Sequence, residues 1–421
     1  MQTARRCGPS AGPETLRKRY GLTRFAWLAG VAMALLAGCT QPGQTPPVAA
    51  AAPPPVVPVP FPTAVLNAGN AVFSAAPVSG QPGARQVVVI DPLVNGVTGE
   101  QSAATRQIAE QLVALARDKY PQFDIQPFSA AAVSKAPYVM VGTFTPVNAQ
   151  GQTAGTREAF RFCLVMVDLH AGKTVAKGVA RAQPDGVDST PIGFFRDSPA
   201  WSADASIKSY IDTCQATKVG DPISATYLNG ILTASLISEA IDAYDASRYR
   251  DALELYVEAQ KTPAGDQLRV YNGVYLTNWK LGHRDEAADA FGRVVEYGLA
   301  HNTLGVKILF RPGSTAFAAD TQVAGSYDMW LREIANHSAS RNACLQVTGN
   351  SSPSGSVALN EQLSVLRAEY VQGRLEADAP GLHGHVIATG AGAKNNLVGT
   401  GSDDLSDALD RRVDFKVIPT C

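Results

Sequence analysis

The segment Asn360-Glu361-Gln362-Leu363-Ser364-Val365-Leu366-Arg367-Ala368 divides its polar and apolar residues as an amphipathic helix does. On a helix, Asn360, Ser364 and Arg367 fall at i, i+4 and i+7, so one ridge carries three polar groups. Leu359, Leu363, Leu366 and Tyr370 share the neighbouring face, which predicts that this apolar face packs against a sheet. A guanidinium fixed on such a ridge suits two-pronged capture of a carboxylate.

Residues on either side extend the pattern over 301–421. Val306-Lys307-Ile308-Leu309-Phe310 is followed by Pro312-Gly313-Ser314, and Tyr327 to His337 reads as a helix. Leu345 to Thr348 is a strand running into Gly349, and His385 to Gly392 ends in a Gly-x-Gly turn. Arg411-Arg412-Val413-Asp414-Phe415 closes the series. In this order the motifs resemble the OmpA C-terminal family, whose members bind peptidoglycan, and the resemblance implies that 306–310, 385–389 and 411–415 are its first, third and final strands. The resemblance implies an α/β sandwich with helices on one face of a mixed sheet. It also implies a site in which an Arg takes the carboxylate, and an Asp the ammonium, of a diamino-acid in the stem peptide. Arg367 matches that Arg and Asn360 the signature Asn. Ser352, within Gly349-Asn350-Ser351-Ser352, occupies the Asp slot. Exchanging a charged hydrogen bond for a neutral one weakens binding by about 1–1.5 kcal/mol, near tenfold. The expected ligand is therefore a wall peptide held by Arg367, Asn360 and Ser352, or an acid presented without an ammonium.

Upstream, 222–300 is helical and faintly repetitive. Ala252, Tyr256 and Ala259 are followed 35 residues later by Ala287, Phe291 and Val294. This small-large-small pattern resembles the tetratricopeptide repeat, which implies either a groove for protein partners or a helical spacer. Two units are too few to stand alone, so the segment must lean on a neighbour. Residues 85–221 have an α/β pattern: a strand at Val87–Ile90, a helix at Ser102–Lys119, then strands at Phe123–Phe128, Tyr138–Val141 and Phe160–Leu169. In topology alone this resembles α/β modules of outer-membrane lipoproteins that assist envelope assembly. Asp91 follows the first strand and reads as a turn residue in Asp91-Pro92. Phe194, Phe195 and Trp201 read as loop aromatics covering a core.

Residues 1–39 form a targeting segment. Arg5, Arg6, Arg17, Lys18, Arg19 and Arg24 precede an apolar run from Phe25 to Leu36, too short for a comfortable membrane span. Leu36-Ala37-Gly38-Cys39 resembles a bacterial lipobox, which implies acylation at Cys39, and with Thr40 and Gln41 following it, an outer-membrane anchor facing the periplasm. Residues 40–84, rich in Pro, Ala and Val, read as an extended tether, with Val65 to Phe73 either part of it or a small ordered piece. At roughly 3 Å per residue it reaches on the order of 100 Å. Export agrees with the cysteines: Cys163, Cys214, Cys344 and Cys421 allow three pairings, and because each sheet-containing segment holds two, Cys163–Cys214 with Cys344–Cys421 is the expected set.

The net charge of −1 gives no reason to expect nucleic acid as a partner. His383 and His385 lie two apart with no further ligand by spacing, so no metal or other cofactor is expected. Asp403, Asp404, Asp407 and Asp410 lack the glycine of a calcium loop and read as a solvated helix face. No nucleophile or metalloprotease motif appears, so no enzymatic activity is expected. The fold expected is α/β and α: an α/β module, a short tetratricopeptide-like segment and an OmpA-like sandwich. Two functions fit it. One is non-covalent tethering of the outer membrane to peptidoglycan. The other is a scaffold of a secretion, pilus or wall-synthesis machine, in which the terminal domain is degenerate.

Overall fold

The computed structural model describes residues 57–77, 85–201, 204–302, 304–318, 327–396 and 405–421, with the side chains of 405 and 406 excepted. The targeting segment with Cys39, tether residues 40–56 and 78–84, and Asp403 and Asp404 lie outside the described residues. The fold is mixed α/β, with two mixed sheets. No helix among the described residues is long and apolar enough to cross a membrane.

Helix α1 (Phe61–Ala75) precedes β1 (Gln86–Ile90), α2 (Ala103–Lys119), β2 (Phe123–Gln126), α3 (Ala130–Val133), β3 (Tyr138–Val147), β4 (Ala159–Asp168) and β5 (Lys173–Ala182). The sheet order is β2-β1-β3-β4-β5. β1 is parallel to both neighbours, and β3, β4 and β5 form an antiparallel meander. Ser102 starts α2 through a capping box: its hydroxyl accepts the Thr105 N–H, and the Thr105 hydroxyl accepts the Ser102 N–H at 2.8 Å. Period-two alternation gives the sheet two apolar faces. Phe160, Phe162, Leu164 and Met166 of β4 meet α1 and α2, whereas Cys163, Val165 and Val167 face the opposite side. On that side lie α3, α5 (Ala205–Gln215) and the start of α6 (Ala225–Asp245), whereas α4 (Gly193–Asp197) packs on α6 and the helices after it. Cys163 and Cys214 are joined there, tying β4 to α5 with Cα atoms 6.1 Å apart.

Helix α1 corrects the expected tether, because residues 61–75 are an ordered part of the fold. Its composition resembles that of the tether, but its prolines sit where a helix tolerates them, Pro60 at the N-cap and Pro62 in the first turn. Phe61, Val65, Val72 and Phe73 are buried on one side. β5 offers α1 a strip of small residues, Ala176, Gly178 and Ala180. The backbones approach so closely that a Cβ at Gly178 would stand 2.2 Å from the Ala68 carbonyl oxygen. Val59 continues the contact by bonding the main chain of Arg181 and Gln183 at the edge of β5.

After α6 come α7 (Tyr249–Gln260), α8 (Leu268–Leu281) and α9 (Arg284–His301), stacked in sequence. Ala252, Tyr256 and Ala259 on α7 and Ala287, Phe291 and Val294 on α9 are all buried. Phe194 and Phe195 are enclosed against this stack, with the Phe194 ring 5.7 Å from Tyr244 and 5.8 Å from Tyr256.

The remaining elements are β6 (Ile308–Leu309), α10 (Tyr327–Ser340), β7 (Cys344–Gly349), α11 (Val357–Asp378), β8 (Val386–Gly390) and β9 (Arg412–Ile418). Their sheet runs β6-β9-β7-β8; β7 and β8 are parallel and the other pairs antiparallel. Cys344 is bonded to Cys421, with Cα atoms 5.3 Å apart. One apolar core runs from Ile192 to Phe415 and includes both the helical stack and this sheet. The join is specific: Trp330 of α10 stacks on Phe291 of α9 at 5.6 Å and donates its indole N–H to Tyr275 of α8 at 2.9 Å. A buried ion pair between Lys307 and Glu100 ties the strand leading to β6 to the loop before α2. The Lys307 ammonium also donates to the Phe195 carbonyl and lies 4.7 Å from the Trp201 ring centre.

Gly178→Ala tests the seating of α1. The added methyl forces α1 off β5, and the expected loss is about 1–3 kcal/mol of unfolding free energy, measured with urea. An unchanged midpoint contradicts the close contact between α1 and β5.

Candidate functional site

Two glycines decide how α11 sits. A Cβ at Gly349 would lie 1.8 Å from the Ser364 carbonyl oxygen, and one at Gly390 would lie 2.5 Å from the Ser364 hydroxyl. Only glycine at the carboxyl ends of β7 and β8 lets the helix lie that close. The ridge that faces inward is the polar one. Asn360, Ser364 and Arg367 are buried together with Ala368, Val371 and Leu375. Leu359, Leu366 and Tyr370 are 56%, 44% and 41% exposed, and Leu363 is half-buried. This reverses the orientation expected from the leucine spacing. The reason is hydrogen bonding: the inner face meets loop backbone at the strand ends, which needs partners. The Ser364 hydroxyl accepts the Gly392 N–H at 2.9 Å and donates to the Glu361 carbonyl at 2.7 Å. The Asn360 amide donates to the Ser354 carbonyl at 3.0 Å.

Arg367 is 0% exposed. Its Nε donates to the Ser314 carbonyl at 3.0 Å, Nη1 to that of Asn350 at 2.8 Å and Nη2 to that of Arg311 at 3.0 Å. The guanidinium carbon lies 5.2 Å from the centre of the Phe310 ring. A fork expected to grip an external acid is thus turned onto two loops of its own chain, residues 311–314 and residue 350. A guanidinium keeps its charge when buried, so such carbonyl contacts are what makes its burial tolerable.

The three residues selected from the sequence do come together around one loop. Ser352 is buried with its hydroxyl 3.1 Å from that of Ser354, and Ser354 holds Asn360 through its carbonyl. Ser351 donates its N–H to the Gly392 carbonyl at 2.9 Å, and Asn350 donates its amide to Asp414 at 2.8 Å. Asn350 Oδ1 and Ser351 Oγ are buried with no hydrogen-bond partner. Arg311, Ser314 and Asn350 were not singled out as site residues. Their contribution is main-chain carbonyl, which no side-chain pattern encodes.

The acidic segment before β9 is also corrected. Asp407 and Asp410 are buried in a 3-10 turn, not solvated. Asp410 accepts from Asn396 at 3.2 Å, and the neighbouring Arg411 and Arg412 are buried too. Arg411 Nε donates to the Phe310 carbonyl, and Arg412 Nε to Asp414 at 2.7 Å. Opposite charges close in sequence fold inward together, which a charge run alone does not reveal.

A second buried polar cluster lies at the carboxyl end of β1. Asp91 Oδ2 accepts the Tyr227 hydroxyl at 2.8 Å. The Tyr210 hydroxyl is within 3.0–3.3 Å of the carbonyls of Asp91, Pro92 and Gly142, and accepts the Gly142 N–H at 3.1 Å. Burial pushes the Asp91 carboxyl up to about 7, against the Tyr227 hydrogen bond and the positive field of Arg269. Burial likewise raises the phenols of Tyr210 and Tyr227, with Asp91 adding to the effect.

No family model matches the chain, and no curated protein is significantly similar to it. Among solved structures it is similar to the peptidoglycan-associated lipoprotein from Burkholderia pseudomallei. The identity is 22% and the TM-score 0.24, over 28% of this chain and 93% of that one.

Two outcomes follow from these contacts. Arg367→Met removes three charge-assisted hydrogen bonds and leaves buried carbonyls unpaired; a loss of at least about 3 kcal/mol is expected in urea unfolding. In the unfolded chain Asp91 returns to about 3.9. Between about pH 4 and pH 7 the folded state therefore keeps a proton that the unfolded state has lost. That stabilisation is complete below pH 4 and is lost as pH rises through about 7, by about 4 kcal/mol in the limit. Asp91→Asn abolishes this component, so the wild-type-minus-variant stability difference must slope downward across this range. A flat difference contradicts the raised carboxyl.

Proposed function

We propose that the chain is a lipid-anchored envelope scaffold that docks protein partners of an assembly, secretion or wall-synthesis machine, with an OmpA-like terminal domain that has lost its ligand grip. The observation that carries this reading is the enclosure of Arg367: its three nitrogens are committed to main-chain carbonyls. The residue that would meet an ammonium is a serine bonded within its own loop. The continuous core points the same way. A terminal domain that shares its interior with the helical stack adds to one stiff body, as a scaffold requires. Catalysis forms no part of the proposal.

A specific observation favours a second reading, retained wall binding. Asn350 Oδ1 and Ser351 Oγ are buried without partners, in the loop that corresponds to the ammonium-binding segment of the resembling family. An ammonium is a donor only, and two such oxygens would suit it.

Co-sedimentation of the purified full chain with peptidoglycan sacculi decides between them. On the scaffold reading, wild type and Ser352→Asp stay in the supernatant alike, because an added carboxylate does not release Arg367. Sedimentation of wild type that is reversed by free diaminopimelate overturns the scaffold reading and establishes the second.

A further inference from the structure

The two disulfides differ in surroundings. Cys163 and Cys214 are both buried between β4 and α5. Cys421 is exposed and Cys344 half-buried, at the open end of the second sheet. His385 stands beside them, with Nδ1 3.3 Å from Cys421 Sγ. Nδ1 or Nε2 of His385 and the two sulfurs all lie within 4.8 Å of one another. Spacing alone could not assemble this group, since the cysteines are 77 residues apart and the histidine lies between them.

We propose that, once opened, this disulfide becomes a binding site for a thiophilic cation, Zn(II), with Cys344, Cys421 and His385 as ligands and the fourth position open to solvent. Two thiolates and an imidazole are a donor set that zinc accepts, at about 2.3 Å for sulfur and about 2.0–2.1 Å for nitrogen. Ligand atoms at such radii stand roughly 3.5–4 Å apart in a tetrahedron, so the histidine nitrogen is already near its place and the two sulfurs must move apart from bonding distance once reduced.

Two of the three ligands are placed without the sulfur–sulfur bond, and the third, Cys421, lies three residues beyond the end of β9. Cys344 opens β7 and pairs with Ile418 of β9, which leads to Cys421. His385 is fixed by its carbonyl, which accepts the Leu345 N–H at 2.8 Å, and by its own N–H, which donates to the Leu382 carbonyl at 2.8 Å. His383 is not part of the group, because its ring faces Glu376 at 3.2 Å.

A dithiol reductant supplies two electrons and two protons, becomes a disulfide itself, and leaves two cysteine thiols. Zn(II) then displaces both thiol protons and takes a lone pair from the neutral imidazole. The site exists only in the reduced state, so metal uptake reports redox state.

The test uses the full chain treated with a dithiol under native conditions and freed of it anaerobically, with Co(II) as the probe. Thiol labelling should count two more cysteines than in the untreated chain, because the buried pair is shielded. One Co(II) should bind per chain with thiolate-to-cobalt absorbance, and Zn(II) should displace it. His385→Gln should weaken binding by roughly 10–100-fold or more, and His383→Gln should not. Failure of the reduced chain to bind Co(II), equal binding by His385→Gln, or equal binding by the oxidised chain each overturns the proposal. Thermal unfolding of the oxidised variants checks that the fold survives the substitutions.

Discussion

The three hydrogen bonds from the Arg367 guanidinium to the carbonyls of Arg311, Ser314 and Asn350 set the geometry of the terminal domain. They fix the loop after β6 and the loop after β7 to the same point on α11. That point is reachable only because Gly349 and Gly390 admit the helix to the strand ends. A shorter cation in place of the fork could not span carbonyls in three directions, because only the guanidinium offers planar donors in a rigid array. The ridge Asn360, Ser364, Arg367 thus serves as backbone hydrogen bonding for loops, and α11 turns its leucines outward as a consequence. Amphipathicity decided that a helix forms here; the unpaired amides and carbonyls at the strand ends decided which side faces in.

Much of the architecture was legible in the residues. The strand at Val87–Ile90 and the helix from Ser102 emerge from periodicity, because that signal is local, whereas the β7–α11–β8 order was read from motifs and their resemblance. The buried sets on α7 and α9 were legible for the same reason. Where the sequence misled, the deciding interaction was non-local. Residues 61–75 have a tether's composition, and only the small-residue strip on β5 makes them a docked helix. Asp407 and Asp410 form a charge run that looks solvated until Arg411 and Arg412 are seen folded in beside them. At the site, the residues were found but their direction was not. A side chain's type says what it can bond, while its partner here is main chain contributed by residues 17 to 56 positions away.

The parts of the fold are bound to one another by buried polar contacts as well as by apolar area. Glu100 and Lys307 are both enclosed, and a buried ion pair of this kind gains little stability over an apolar pair but is costly to break one-sidedly. Its effect is on register. It admits one placement of the strand leading to β6 against the loop before α2, with the Phe195 carbonyl as a third fixed point. The indole–phenol bond between Trp330 and Tyr275 does the same for α10 against the helical stack. Apolar surfaces alone would tolerate sliding, and these contacts do not.

The carboxyl ends of parallel strands are where open α/β sheets leave a crevice, because connections depart in opposite directions there. The split between β1 and β3 is such a place, and the ends of β7 and β8, which α11 connects directly, are a second site where strand-end backbone must be satisfied. Both are filled from within. At the first, the Tyr210 hydroxyl bonds the main chain of Asp91, Pro92 and Gly142, and Tyr227 covers the Asp91 carboxyl. At the second, Arg367 donates to the Asn350 carbonyl and the Ser364 hydroxyl accepts the Gly392 N–H. The same physical solution at both positions, a long or well-placed polar side chain from a covering helix spent on strand-end backbone, converts two potential binding crevices into rigid joints. At each joint the covering helix holds strand-end backbone in a single arrangement, through Tyr210 and Tyr227 at the first and through Arg367 and Ser364 at the second.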